Sequence, residues 1–195
     1  MLPRQPYTEL MSSCLVDSLT GLPSQSGWKE AIDDALVVGR DFGLVFLDLN
    51  RFAFVNHIHG HRAGDEALQA VANALNRLAP ASRFGGNEFG LLVLEHPLDA
   101  VEKAARVAVV NAISSYETPA LRDFAAKNET LNRSIAKRYG WLERPEPPVG
   151  APVLGATTVT LLARSGEFQT ASQIFVALTA AMDKAKRTPV QALPR

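Results

Sequence analysis

The chain has 195 residues, of which 47% are hydrophobic and 21% charged, and this balance predicts one globular domain with a substantial core. Its 20 basic and 20 acidic residues cancel, which argues against an overall field that draws the protein to nucleic acid or anionic lipid. The single cysteine excludes an internal disulfide and predicts a reducing, cytoplasmic compartment, and no apolar run predicts a membrane span.

The first half of the chain predicts two helices around one buried strand. Serines suited to capping precede apolar residues at helical spacing, which predicts a helix over residues 24 to 38. Apolar residues on both faces of Gly43 to Leu49 predict a central strand covered on two sides, with Asp48 at its C-terminal end. After a turn that contains histidine and glycine, an amphipathic helix is predicted from about Asp65, its N-cap, to Pro80.

The second half predicts a hairpin followed by a helix, a strand and a last helix. Two strands, Ala81 to Phe84 and Phe89 to Glu95, flank Gly85-Gly86-Asn87-Glu88, because glycine and asparagine tolerate the positive φ of tight turns. The later predicted elements are Leu98 to about Ser114, Val153 to Ala163, and Ala171 to Arg187.

This order of elements is typical of an α+β, ferredoxin-like βαββαβ core with an antiparallel central sheet flanked by helices. In that arrangement the first strand runs antiparallel beside the third. Asp48 should therefore face the turn that carries Asn87 and Glu88. A carboxylate beside glycines, which let a polyphosphate approach the backbone, suits a site for Mg²⁺ and a nucleotide.

A long insertion, residues 115 to 152, separates the helix predicted from Leu98 to about Ser114 from the strand predicted from Val153 to Ala163. Its beginning has apolar residues at helical spacing and predicts a helix packed on the domain, whereas Trp141 to Pro152 is rich in proline and predicts an irregular loop. Acidic residues nearly balance its basic residues, which argues against a nucleic-acid face. The predicted organisation is an N-terminal segment (1–16), one domain (17–190) and a tail (191–195).

Four groups of residues match the signatures of one known family, in order and at matching spacing. They are Asp17 to Pro23 (DSLTGLP), Leu47 to Phe52 (LDLNRF), Asn56 with Gly60-His61 and Gly64-Asp65, and Arg83 to Phe89 (RFGGNEF). Over about residues 17 to 187, outside the insertion, the chain resembles the GGDEF domain family. The resemblance implies the palm-type fold of nucleotidyl cyclases and, in diguanylate cyclases, the joining of two GTP molecules into cyclic di-GMP by a dimer.

The resemblance also implies roles for individual residues. Asn56 and Asp65 match guanine-binding positions, Gly86 and Lys186 other nucleotide contacts, Glu88 the position that assists the attacking 3′-hydroxyl, and Asp48, the Leu49 backbone carbonyl and, weakly, Asn87 the ligands of Mg²⁺ or Mn²⁺. The chemistry agrees for Asp65, because a carboxylate accepts from the ring N–H and the amino group of guanine, a donor pair that adenine lacks.

The chain departs from the family pattern at several positions. Asn87 stands where an acidic residue normally binds the metals, and one unit charge at about 4 Å is worth roughly 4 kcal/mol at an effective dielectric near 20. Ala53 and Val190 stand where cationic phosphate contacts are expected. The residues directly before Arg83, Arg77 to Ser82 (RLAPAS), contain no Arg-x-x-Asp motif, so the inhibitory product site of the family is not expected.

Each residue also has a simpler interpretation when it is taken alone. Asp65 could be only a helix cap and Asn56 only a turn residue. Asp48 could be a solvent-facing carboxylate, and Lys186 could be placed by the helix dipole. The joint spacing favours the site. A zinc site at His57, His59 and His61 is disfavoured, because no acidic or cysteine partner has ligand spacing.

Three hypotheses about function follow. The preferred one is a degenerate, catalytically impaired GGDEF domain that binds GTP or contacts a partner in cyclic di-GMP signalling. The second is a slow but active diguanylate cyclase that acts as a homodimer. The third is a structural interaction domain that binds no nucleotide.

Overall fold

The structure is a computed structural model that describes residues 15–94, 96–139 and 152–187. Its strands are β1 (Phe42–Asn50), β2 (Ala81–Gly85), β3 (Glu88–Val93) and β4 (Gly155–Ala163). Its α-helices are α1 (Gln25–Val38), α2 (Phe52–His59), α3 (His61–Asn76), α4 (Leu98–Ile113), α5 (Pro119–Tyr139) and α6 (Ala171–Arg187). The strands form one sheet in the order β2-β3-β1-β4, and every pairing is antiparallel.

Strand β1 lies at the centre of the sheet and is covered on both faces. Val45 and Leu47 belong to the core that includes the apolar sides of α3 and α4, whereas Leu44 and Phe46 pack with residues of α1 and α6. Alternation along a strand sends successive side chains to opposite faces, so a strand that is apolar at nearly every position needs a cover on each. The predicted central strand and the predicted ferredoxin-like fold are both confirmed.

The segment between β1 and α3 corrects two predictions. The predicted turn is helix α2, since Phe52 and Val55, three residues apart, are both buried on one side of it. Gly60, with φ of 85°, ends α2 and changes the direction of the backbone, and α3 begins at His61. Asp65 therefore lies inside α3 and the prediction that it caps the helix is wrong, as is the alternative of Asn56 as a turn residue.

The insertion does form a helix. In α5, Leu121 is fully buried in the larger core, while Leu131 is 58% exposed. The loop predicted over Trp141 to Pro152 lies almost wholly outside the described residues, as does Val190. Over the described ranges, no helix combines the length and apolar character that crossing a bilayer requires.

Candidate functional site

The end of β1 meets the β2–β3 hairpin as the sequence predicted. Asp48 pairs with Glu88 on one side and with Thr157 on the other, and only 8% of Asp48 is exposed. Because alternation places Asp48 on the same face as Phe46, its carboxylate points into the layer formed by α1 and α6. A buried carboxylate needs a partner, and the structure supplies one from α6.

That partner is Lys186 in the last turn of α6. Its Nζ lies 2.7 Å from Asp48 Oδ2, and the two side chains are 37% and 12% exposed. The ammonium group thus supplies the positive charge that the Asp48 carboxylate faces. Asp183, one helical turn earlier on α6, also acts electrostatically on Glu88, so this end of the sheet holds a small cluster of charges.

Asn87 makes a reciprocal pair of hydrogen bonds with Leu49. The Asn87 side-chain nitrogen donates to the Leu49 carbonyl at 2.7 Å, and the Leu49 N–H donates to the Asn87 carbonyl at 3.0 Å. If the Asn87 amide were flipped, its side-chain oxygen would lie 2.7 Å from the Leu49 carbonyl oxygen, which is unfavourable. The Leu49 carbonyl therefore fixes the Asn87 amino group as its neighbour. The backbone oxygen implied as a metal ligand is therefore already bonded to a donor.

The surroundings of Glu88 alter the acidity of its carboxyl group. Partial burial raises the pKa of Glu88, the negative charges of Asp48 and Asp183 raise it further, and the Lys186 ammonium opposes them. Such a group gains a proton more readily than an ordinary glutamate.

The oxygen atoms that the resemblance implies as metal ligands face hydrogen-bond donors in this structure. Mg²⁺ prefers a shell of oxygen ligands, but here one Asp48 oxygen faces an ammonium group and the Leu49 oxygen faces an amide donor. Nor do the described residues contain three or more histidine, cysteine or acidic side chains grouped to hold a metal ion.

The implied guanine-binding residues lie at the junction of α2 and α3. Asn56 is half-buried in α2, and its side-chain oxygen lies over Gly64 so closely that a Cβ atom there would be 1.8 Å away. Asp65 follows Gly64 directly and is exposed. The bare backbone of Gly64 thus lets the Asn56 amide lie against α3, one residue before Asp65.

On the guanine-binding role that the resemblance implies for Asn56, Gly64→Ala should weaken GTP binding by about tenfold with little effect on stability. The new methyl group displaces the Asn56 amide from its place above α3. Alanine is also favoured over glycine inside a helix by about 1 kcal/mol, which offsets the strain. Isothermal titration calorimetry with GTP, beside thermal denaturation, measures the two effects separately.

The matched control is a double-mutant cycle with Asn56→Ala. If Gly64 acts through Asn56, then Gly64→Ala should add nothing once the amide is gone. Wild-type affinity for GTP in Gly64→Ala, or additive losses in the double variant, would contradict this role of Gly64.

Arg83 holds the hairpin turn against the start of the described chain. Its Nη1 lies 2.9 Å from both carboxylate oxygens of Asp17, and its Nε and Nη2 donate to the Gly86 carbonyl at 3.2 and 2.7 Å. Burial would raise the pKa of Asp17, but hydrogen bonds from Thr20 and Arg83 and the arginine charge outweigh burial and lower it. Gly86 itself is exposed with open space beside its Cα, which suits close approach of a phosphate.

A family model described as "Diguanylate cyclase, GGDEF domain" matches residues 14–130, more than half of the chain. The chain belongs to the GGDEF domain family. A protein of Streptomyces ambofaciens, the uncharacterized 19.3 kDa protein in the repSA 5′ region, is 33% identical over 118 residues, which cover 58% of this chain and 63% of that protein. The Escherichia coli diguanylate cyclase DgcM is 32% identical over 103 residues, 49% of this chain but only 25% of DgcM.

Solved GGDEF structures share the fold. The GGDEF domain of Caulobacter crescentus DgcB, crystallised in complex with c-di-GMP, superposes with a TM-score of 0.59 at 19% identity over 91% of this chain and 93% of that one. The Pseudomonas aeruginosa diguanylate cyclase SiaD, in complex with its activator SiaC, gives 0.59 at 24% identity over 89% of this chain and 58% of SiaD.

Within this GGDEF domain, some residues at the site escaped the sequence interpretation. Asp183 lies three residues before Lys186, and that helical spacing alone could have indicated a shared face. The contact of Gly64 with Asn56 left no such signal, because it joins two separate helices.

Proposed function

We propose that this GGDEF domain is a catalytically impaired guanine-nucleotide-binding module that acts in cyclic di-GMP signalling through contact with a partner. In this proposal Asn56 and Asp65 recognise the base, Gly86 and Lys186 contact the phosphates, and Glu88 retains its position beside the 3′-hydroxyl. In this proposal the module is located in the cytoplasm, where GTP is abundant.

The observation that supports this proposal is the internal occupation of the metal ligands. The Asn87 amide bonds the Leu49 carbonyl and the Lys186 ammonium pairs with Asp48. Two-metal phosphoryl transfer requires cations that bridge the phosphates and neutralise developing charge. A neutral amide in place of a carboxylate removes one charge from that arrangement, while the Asn56 amide, held over the bare Gly64, supports the proposed base recognition.

Two measurements test the proposal. Incubation with GTP and either Mg²⁺ or Mn²⁺ is expected to give no cyclic di-GMP, and calorimetry is expected to show GTP bound at least about tenfold more tightly than ATP, as hydrogen-bonded base recognition requires. Equal affinity for the two nucleotides would remove Asn56 and Asp65 from the site and favour the structural interaction domain.

The raised pKa of Glu88 favours a second candidate, a slow diguanylate cyclase. A carboxyl group shifted toward neutral pH is better placed to exchange a proton with a substrate hydroxyl. A metal-dependent product that disappears in Asp48→Ala would establish this candidate and overturn the impaired module. As in the family's cyclases, it would need two subunits, each presenting one GTP.

A further inference from the structure

Helix α2, which carries Asn56, is too short to hold its own position. It has eight residues, and its N-cap, Arg51, adopts a left-handed backbone with φ of 55° and makes no side-chain capping bond. Isolated helices shorter than about 12 residues are marginal in water, because nucleation fixes several dihedral angles for few hydrogen bonds. The orientation of Asn56 therefore depends on what α2 packs against.

The insertion helix α5 grips α2 along one side. The Phe124 ring stacks on the His57 imidazole, with centroids 4.3 Å apart and planes at 20°, and meets the edge of Phe54 at 5.1 Å. Arg51 Nη2 lies 2.9 and 2.7 Å from the two carboxylate oxygens of Glu129. The three α2 contacts recur every third residue, so they form one stripe on its surface.

Asn56 projects away from that stripe. Two positions along an α-helix correspond to a rotation of about 200°, so Asn56 lies nearly opposite Phe54 and reaches Gly64 on α3. Helix α5 holds one side of α2 while the base-recognition residue occupies the other. Any rotation of α2 that loosens the α5 contacts also moves the Asn56 amide.

The first half of α5 is buried against the domain, since Leu121 is fully buried in the larger core and Ala125 is 4% exposed. His59 Nε2, at the end of α2, also lies 2.9 Å from the Tyr116 carbonyl just before α5 begins, so α2 is joined to this region at a further point. The Phe124 ring projects from this anchored first half. A buried helix that offers an aromatic contact and an ion pair can fix the orientation of a short neighbour.

We propose that Phe124 and Glu129 are positioning residues for guanine recognition, and that the insertion sets nucleotide affinity by fixing the orientation of α2. This inference rests on the proposed function for its ligand, guanine nucleotide. The mechanical coupling of α5 to α2 does not depend on any ligand and can be measured without one. A merely structural role for α5 would alter stability and leave base discrimination unchanged.

The experiment compares Phe124→Ala and Glu129→Gln with Lys127→Ala, which removes an exposed ion pair on the same helix. Hydrogen exchange of the full chain reads the protection of amides in α2, and calorimetry reads the affinity ratio of GTP to ATP. Phe124→Ala is expected to speed α2 exchange by about tenfold and to reduce the affinity ratio by a similar factor. Glu129→Gln should act in the same direction, and Lys127→Ala should change neither.

Rescue variants guard against simple unfolding. Phe124→Tyr keeps the aromatic contact and should restore the ratio, and the charge exchange Arg51→Glu with Glu129→Arg should recover what either single change loses. Unchanged α2 exchange in folded Phe124→Ala would overturn the proposal. If the wild-type protein shows no preference for GTP, the proposed function fails, yet the exchange measurement still decides whether α5 positions α2.

Discussion

Asn87→Asp is expected to raise the affinity of the domain for Mn²⁺ by between about tenfold and about a thousandfold. The aspartate removes the donor that occupies the Leu49 carbonyl and adds a carboxylate beside Asp48 and Glu88. A hard cation prefers oxygen ligands, and the aspartate supplies one more of them together with a negative charge. Titration of Mn²⁺ followed by electron paramagnetic resonance gives the affinity directly, and Mn²⁺ should also raise the melting temperature of this variant.

Asn87→Ala is the matched control for that substitution. It frees the same carbonyl without adding charge, so it should gain much less Mn²⁺ affinity than the aspartate. An equal gain in both variants would show that the hydrogen bond, and not the missing charge, keeps the cation out. We expect Asn87→Asp to remain a poor cyclase, because Ala53 still offers the phosphates neither charge nor donor.

Arg83→Ala is expected to lower the free energy of unfolding by about 3 kcal/mol, because it leaves Asp17 without its partner in a largely buried place. For a domain of this size, that corresponds to a fall in melting temperature of about 6 to 12 °C. The substitution also releases the Gly86 carbonyl and loosens the hairpin turn. Chemical denaturation measures the loss, and Arg83→Lys, which keeps charge but not the fork, should fall between.

The pH dependence of stability isolates the contribution of Asp17. Its pKa in the folded protein is below the usual 3.8, so the pair stabilises the fold above that pH and the contribution disappears as pH falls through the lowered value. The stability difference between the wild type and Asp17→Asn should therefore be full near neutrality and shrink in acid. A difference that stays constant down to the acid limit would assign the effect to packing instead of charge.

Much of the fold could be predicted from sequence because its signals are local. The doubly apolar run around Phe46 identified a central strand, and the glycines at 85 and 86 identified a hairpin. Helix α2 was missed, because eight residues with two histidines before Gly60 give a weak periodic signal. The wrong prediction of Asp65 as an N-cap followed from that omission, because the turn was expected to continue up to it.

The site was only partly predictable. The approach of Asp48 to Glu88 follows from strand order, which the sequence indicates. Several neighbouring groups could bond the polar atoms of Asp48 and Leu49. No pattern in the sequence indicates that Lys186 bonds Asp48 and that Asn87 bonds Leu49. Long-range contacts such as Arg51 with Glu129 are likewise invisible until the helices are placed.

The ion pair between Lys186 and Asp48 has a consequence for which ligands the domain distinguishes. Lys186 can contact a phosphate only in molecules in which it has left Asp48. The apparent affinity for the phosphate is reduced in proportion to the fraction of such molecules. This reduction applies to the phosphate tail of a ligand and not to its base. On the proposed function, this competition would reduce the affinity that the domain gains from each added phosphate, and GTP would exceed GDP by less than a free lysine allows.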